Sequence, residues 1–181
     1  KDVAVLFRDV LGFNFKIIPG YRGGNEINLA MDRGEVDARL TAMSGTRAAR
    51  PAWFLPDSPM RVLVQFARTT RHPQFPDVPT ARELARDPTS LALVELAELP
   101  YRMSRPFVAP PAIPPDRAKA LEAAMMKASE DPNFLAEAAA LKLDVSPIDG
   151  GAMLKLVGRL AKSPPEVLER MKALQSSQVA P

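Results

Sequence analysis

The chain has 181 residues, of which 46% are hydrophobic and 25% are charged, a balance typical of globular proteins. Its 24 basic and 21 acidic residues leave a net charge of only +3, which implies no long-range attraction to nucleic acid or to a membrane surface. Because there is no cysteine, disulfides, thiol catalysis and cysteine-ligated metals are excluded. The apolar runs are far shorter than the roughly 18 residues expected of a transmembrane helix.

The first forty residues predict a helix and then a βαβ unit. Apolar residues recur at helical spacing up to Leu11, where Gly12 follows as a stop signal. Aromatic and β-branched runs at 15–18 and 36–41 predict two strands, and a helix that Gly34 closes is expected between them over 23–33. The strands of such a unit are parallel, and ligands bind at their carboxyl ends.

The middle of the chain predicts further strands and short helices. Residues 61–67 are almost continuously apolar, as expected of a strand covered on both faces. Thr80 and Glu83 match a capping box at the start of a short helix, and a second short helix is expected over 91–99. An apolar strand is predicted over 103–109, with Asp144-Val145 as a candidate for another.

The last third predicts helices. Helix starts are indicated at Pro115, Asp131-Pro132, Asp149 and the Pro164-Pro165 pair. Apolar stripes such as Met153, Leu156, Val157 and Leu160 predict that these helices pack on a neighbour. Residues 175–181 are predicted to be a disordered tail.

A glycine-rich turn before the second predicted helix indicates an anion-binding site, with the candidate residues Tyr21, Arg22, Gly23, Gly24 and Asn25. Glycines at a helix start let backbone amides approach a ligand, and the helix end adds partial positive charge. Arg22 could bind a carboxylate through two parallel hydrogen bonds or be a solvated turn residue. The glycines could serve the ligand, a tight turn or both. The ring of Tyr21 is expected to pack beneath the turn, and its hydroxyl is expected to form a hydrogen bond with the ligand.

Thr41, Met43 and Ser44 follow the second strand of the predicted βαβ unit. The carboxyl ends of parallel strands share one edge, so these residues are expected to lie near the glycine-rich turn. For Ser44, an equal alternative is that it caps a helix over 46–53.

Catalytic chemistry has little support in the sequence. His72 is the only histidine and lies in a proline-rich loop, and Ser44 lacks the context of a nucleophile elbow. The carboxylates have no spacing typical of zinc or calcium ligands. We therefore expect no catalytic residue, no metal and no cofactor. A Ser44/His72 hydrolase or transferase and a helical protein-interaction module are the alternative hypotheses.

Several motifs occur in an order that resembles a known family. They are Ile18-Pro19-Gly20-Tyr21-Arg22-Gly23-Gly24, Gly34-Glu35-Val36-Asp37, Pro76-Asp77-Val78-Pro79-Thr80, Pro106-Phe107-Val108-Ala109-Pro110 and Ile113-Pro114-Pro115. In this order and spacing, over most of the chain, they resemble the solute-binding receptors of tripartite tricarboxylate transporters. Many members of that family have lysine at the position of Arg22, and proline or alanine at that of Asn25, which suggests a subgroup with a different ligand.

The resemblance implies an α/β fold with the two-lobed Venus flytrap architecture of periplasmic binding proteins. It implies that this chain is an incomplete, C-terminal fragment, with residues 1–103 in the second lobe and 104–174 returning to the first. The implied function is capture of a small organic carboxylate in the periplasm, after export by a signal peptide outside this chain. The implied partners are the membrane permease subunits, with no nucleic acid, and exposed fragment edges predict a homo-oligomer.

Overall fold

The computed structural model describes residues 2–143 and 145–176, and regular structure in this part of the chain is helical. The α-helices are α1 (Asp2–Asp9), α2 (Gly24–Asp32), α3 (Met43–Ala49), α4 (Pro88–Arg102), α5 (Pro115–Ser129), α6 (Pro132–Ala140), α7 (Gly150–Ala161) and α8 (Pro165–Ser176), and a 3₁₀ helix, η1 (Pro51–Phe54), follows α3. The β-pairing among the described residues consists of one isolated parallel bridge, between Gln65 and Thr80.

The predicted α/β, two-lobed Venus flytrap architecture is therefore wrong. The segments 15–18, 36–41, 61–67 and 103–109 were expected to be strands, but they are irregular, and only Gln65 makes a bridge. A strand needs a neighbour for its backbone N–H and C=O groups, and an apolar run does not supply one. The exposure of Leu63 (64%) and Val108 (85%) shows that no sheet covers these runs. Asp144, in the last predicted strand, lies outside the described residues.

The predicted helix boundaries are largely confirmed. α1 ends before Gly12, and α2 before Gly34, and both glycines have positive φ angles (75° and 73°) that favour glycine. The Asp131 carboxylate accepts hydrogen bonds from two backbone amides of α6, at 2.9 and 3.1 Å. Asp149 caps α7 in the same way, at 2.6 Å. These signals are local, which is why the sequence reveals them.

Two predictions, a short helix after Thr80 and a tail from residue 175, need correction here. Thr80 and Glu83 do form the hydrogen bonds of a capping box, but turns follow them instead of a helix. The predicted tail 175–181 begins inside α8, which continues to Ser176. Residues 177–181 lie outside the described part of the chain.

The chain divides into two compact units. The first contains the described parts of Lys1–Ala42, Arg61–Glu98 and Ser163–Pro181, and in it α1 packs against α8. Its buried side chains include Val3, Val5, Leu6, Leu93, Val94, Val167 and Leu174. The second unit contains Met43–Met60 and Leu99–Lys162, with α3 against η1 and α5 against α6.

One fully buried carboxylate, that of Glu98, lies in the first unit. One of its oxygens accepts a hydrogen bond from Arg82 Nε at 2.7 Å, and the other accepts one from the backbone N–H of Ala67 at 3.2 Å. Arg82 also donates to Glu95, at 2.7 Å. Because a buried charge is tolerated only when it is paired and hydrogen-bonded, this cluster is most simply structural.

Candidate anion-binding site

The glycine-rich turn is the N-terminus of α2. Gly23 is the N-cap residue, with extended backbone (φ −173°, ψ 176°) and no side-chain cap. The first amide of the turn with a backbone acceptor is that of Ile27, which donates to the Gly23 carbonyl at 3.3 Å. The amides of Gly24 and Asn25 donate to no acceptor among the described residues. Such free donors at a helix start can bind an anion.

Glu26 places a carboxylate at the same turn. Its Oε2 atom accepts a hydrogen bond from the Arg22 backbone N–H at 2.8 Å, bridging four residues. A negative charge in the first turn of a helix is favourable. The Glu26 carboxylate therefore already satisfies one donor of the turn and would compete with an incoming anion.

Arg39 is the residue of this site that the sequence analysis missed. Its Nη1 atom donates to the Gly24 carbonyl oxygen and to Asn28 Oδ1, both at 2.6 Å. Asn28 is itself buried, at 3% exposure. Arg39 lies in the segment that was predicted to be a strand, fifteen positions from Gly24, so local sequence contained no signal for the contact.

The charge of Arg39 has no counter-charge among the described residues. Its hydrogen bonds go to a carbonyl and to an amide oxygen, and its Nε atom is buried without an acceptor. Desolvation by burial lowers the pKa of Arg39, but a guanidinium stays protonated at neutral pH. The turn itself contains Arg22 and Glu26, and Arg39 contacts it through the Gly24 carbonyl oxygen.

The predicted ligand residues fall into both units. Tyr21, Arg22, Gly23, Gly24 and Asn25 form the turn itself, and Tyr21 is half-buried while the other four are exposed. Thr41 is exposed and belongs to the same unit as the turn. Met43 and Ser44 belong to the second unit, as the first two residues of α3. Ser44 thus lies inside the first turn of α3, which replaces the helix predicted over 46–53.

The candidate catalytic histidine is held in its own loop. His72 Nδ1 accepts a hydrogen bond from the Gln74 backbone N–H at 3.1 Å, so this nitrogen is not free to act as a base. Ser44 is in the second unit and His72 in the first. Within residues 2–143 and 145–176, no group of three His, Asp or Glu side chains could hold a metal ion.

A separate depression of about 380 Å³ lies in the first unit, beside the start of α4. Its lining includes the carboxylates of Asp9, Asp87 and Glu166, with the single cation Arg170. The pKa values of Asp9 and Asp87 are lowered, chiefly by hydrogen bonds from Arg8 and Ser90 respectively. This acidic surface is poorly suited to an anion, so we place the candidate site at the α2 turn.

No helix among the described residues has the length and apolar character needed to cross a membrane. Comparison with protein-family models, curated proteins and solved structures found no match for this chain.

Proposed function

We propose that this protein binds a small organic carboxylate at the N-terminal turn of α2, as a solute-binding protein of a tripartite tricarboxylate transporter. The observation that carries the proposal is the pair of amides, those of Gly24 and Asn25, that have no acceptor among the described residues, next to the uncompensated Arg39 guanidinium. The assignment to a transporter is supported by the order of the sequence motifs, which resembles that of the solute-binding receptors of tripartite tricarboxylate transporters. In that context the protein acts outside the cytoplasm and passes its ligand to permease subunits.

The chemistry of the turn matches a carboxylate. Two adjacent backbone N–H groups and the positive end of a helix can receive two oxygens of one anionic group. The nearby cations Arg22 and Arg39 compensate its charge. The proposal depends on this turn and on the motifs, and not on an α/β two-lobed architecture.

The affinity that this turn can provide is modest. A helix N-terminus stabilises an anion by roughly 0.3–1 kcal/mol, and by up to about 2 when partly buried. A hydrogen bond to a charged group adds about 1.5–3 kcal/mol. A dissociation constant near 1 mM corresponds to about 4 kcal/mol. We therefore expect millimolar binding by the turn.

Nuclear magnetic resonance titration suits binding of this strength. The ¹⁵N-labelled protein is titrated with acetate, succinate and citrate, each against potassium chloride at the same ionic strength. The amide signals of Gly24 and Asn25 are expected to shift saturably with the carboxylates and not with chloride, because carboxylate oxygens accept their hydrogen bonds. The proposal fails if none of the three carboxylates shifts these signals saturably.

A matched pair of variants isolates one amide. Gly24→Ala retains the N–H group, whereas Gly24→Pro removes it at a helix position that accepts proline, after an N-cap residue that is already extended. Both variants add a Cβ atom. We expect the proline variant to bind succinate about tenfold more weakly than the alanine variant, since it lacks one charge-assisted hydrogen bond. Equal affinities would show that the Gly24 amide is not part of the site.

A further inference from the structure

Helix α7, in the second unit, exposes part of its apolar surface. Leu156 is buried, whereas the side chains of Leu154, Val157 and Leu160 are 71%, 46% and 40% exposed. These three exposed side chains follow one another every third position, so they form a row along one side of the helix. Isolated exposed leucines are common on protein surfaces, but a continuous apolar row is typical of an interaction surface.

The opposite side of α7 is positively charged. Lys155, Arg159 and the C-cap residue Lys162 are exposed and lie four and three positions apart, on one face of the helix. The ammonium groups of Lys155 and Lys162 have no ion-pair partner among the described residues. Residues 150–165 contain no acidic side chain. Although the whole chain carries a net charge of only +3, this helix therefore has a local concentration of positive charge.

The carboxylates of Asp149 and Glu122 contact α7 at its N-terminus. Asp149 accepts a hydrogen bond from the Ala152 backbone N–H at 2.6 Å, and Glu122 accepts one from the Gly150 backbone N–H at 2.7 Å. Negative charge is favourable at this end of a helix, and positive charge is favourable at the other. The two signs of charge are therefore separated along α7.

An exposed apolar row with cations on the opposite face is typical of helices that lie on an anionic membrane surface. Apolar side chains of such a helix enter the boundary between headgroups and acyl chains, and lysine side chains extend to the lipid phosphates. A second copy of α7 could cover the row, but it offers no carboxylate between residues 150 and 161 to the cations of its partner. Charge complementarity therefore favours an anionic lipid surface.

We propose that α7 binds the surface of a membrane that contains anionic lipids. Leu154, Val157 and Leu160 enter the lipid boundary, while Lys155 and Lys162 contact headgroup phosphates. The carboxylate turn belongs to the first unit and α7 to the second. The inference goes beyond the proposed carboxylate binding and does not depend on it.

The test is co-sedimentation of the full chain with vesicles, of phosphatidylcholine alone and of phosphatidylcholine mixed with phosphatidylglycerol. We expect the protein to bind the mixed vesicles more tightly, and potassium chloride to weaken this binding. Leu154→Gln/Val157→Gln is expected to weaken it by about tenfold or more, because two apolar side chains are lost from the lipid boundary. Lys155→Gln/Lys162→Gln is expected to weaken it by a similar factor, since each cation near an anionic surface contributes about fivefold.

Matched controls lie on α5, in the same unit. Lys119→Gln/Lys127→Gln removes the same net charge as the α7 lysine variant, and Leu121→Gln replaces a leucine that is 58% exposed. Both are expected to bind the mixed vesicles within about twofold of the wild type, because they leave α7 unchanged. Circular dichroism of each variant confirms that its helices are retained.

A fluorescent label reports whether α7 itself enters the lipid boundary. The chain has no cysteine, so Leu154→Cys provides a single position for an environment-sensitive nitrobenzoxadiazole group. Its emission is expected to shift to shorter wavelength on the mixed vesicles, because the group moves from water into an apolar environment. The same label at Thr69→Cys, an exposed position in the first unit, is expected to show no shift.

Three results would overturn the proposal. The wild type could fail to bind the mixed vesicles, or Leu154→Gln/Val157→Gln could bind them as tightly as the wild type. Equal losses in the α7 and α5 lysine variants would show that net charge, and not α7, determines the binding. A wild-type dimer in light scattering that Leu154→Gln/Val157→Gln dissociates would assign the apolar row to a second copy instead. The succinate titration is independent of all these outcomes.

Discussion

The Glu83 carboxylate accepts several hydrogen bonds at the surface of the first unit. Arg71 donates to it through Nη2 at 2.8 Å and Nε at 3.0 Å, and Thr80 donates through its backbone N–H at 2.8 Å. These bonds, first those from the Arg71 side chain, lower the pKa of Glu83 from 4.5 to about 2. All of them favour the ionised form.

This lowered pKa predicts a pH dependence of stability. A carboxylate whose pKa is lower in the folded state stabilises the fold above its unfolded pKa, near 4.5, and this contribution is lost as pH falls towards about 2. We expect Glu83→Gln to unfold more easily than the wild type at pH 7 and the difference to shrink over that window. Urea unfolding at a series of pH values measures it.

The matched control is Glu137→Gln, which removes an exposed helix carboxylate outside this network. Its unfolding curve is expected to follow the wild type across the same pH range. Because Glu83 is itself substantially exposed, added salt should reduce the effect of Glu83→Gln. Parallel pH profiles for the wild type and Glu83→Gln would contradict the assignment.

The side chain of Gln65 forms hydrogen bonds with the backbone of the proline-rich segment that follows it. Gln65 is buried, and its Nε2 atom donates to the carbonyl oxygens of Phe75 and Val78, at 2.9 and 2.8 Å. Its Oε1 atom accepts from the His72 backbone N–H at 2.7 Å. The segment has no regular structure, so this side chain satisfies backbone groups that a ladder or a helix would otherwise pair.

Gln65→Ala is therefore expected to lower the free energy of unfolding by about 2–4 kcal/mol, because it removes three hydrogen bonds and leaves their partners unsatisfied. Urea unfolding measures the loss, and faster proteolysis within residues 66–79 should accompany it. Thr69→Ala, an exposed change in the same segment, is the control and should change stability by less than about 0.5 kcal/mol. A Gln65→Ala effect as small as that of the control would refute the role of Gln65.

The element scale also shows where sequence interpretation stops. The apolar run 61–67 was predicted to be a buried strand. Leu63 in this run is 64% exposed, whereas the polar residue Gln65, which lies between Val64 and Phe66, is buried. A hydrophobic run describes what could be buried, and only a neighbouring element decides what is buried. Gln65 was not singled out because its partners lie 7 to 13 residues away, beyond any local signal.

At the scale of the whole molecule, the ends of the described chain meet. α1 packs against α8 in the first unit, and Leu6, with 2% exposure, is among the most buried side chains. Leu154 is likewise a leucine within a helix, α7, but its side chain is 71% exposed. The predicted packing of the α7 stripe is therefore only partly correct, since Leu156 is buried and Val157 is 46% exposed.

This contrast predicts different costs for the same substitution. Leu6→Ala is expected to lower the free energy of unfolding by about 2–5 kcal/mol, because it creates a cavity between packed helices. Leu154→Ala, the control, should cost less than about 0.5 kcal/mol, since no neighbour covers the side chain. Thermal and urea unfolding of the two variants provide the comparison. Equal destabilisation by the two changes would mean that the core lies elsewhere.

The local features of this protein could be predicted from its sequence. It predicted that α2 begins at the glycine-rich turn and ends before Gly34, and it predicted the caps at Asp131 and Asp149, because each signal lies within a few residues of the structure it produces. Contacts in the folded chain limit β-pairing among the described residues to the single bridge of Gln65 with Thr80, and they bring Arg39 to Gly24. Both depend on contacts between residues far apart in the chain, which periodicity and capping do not encode.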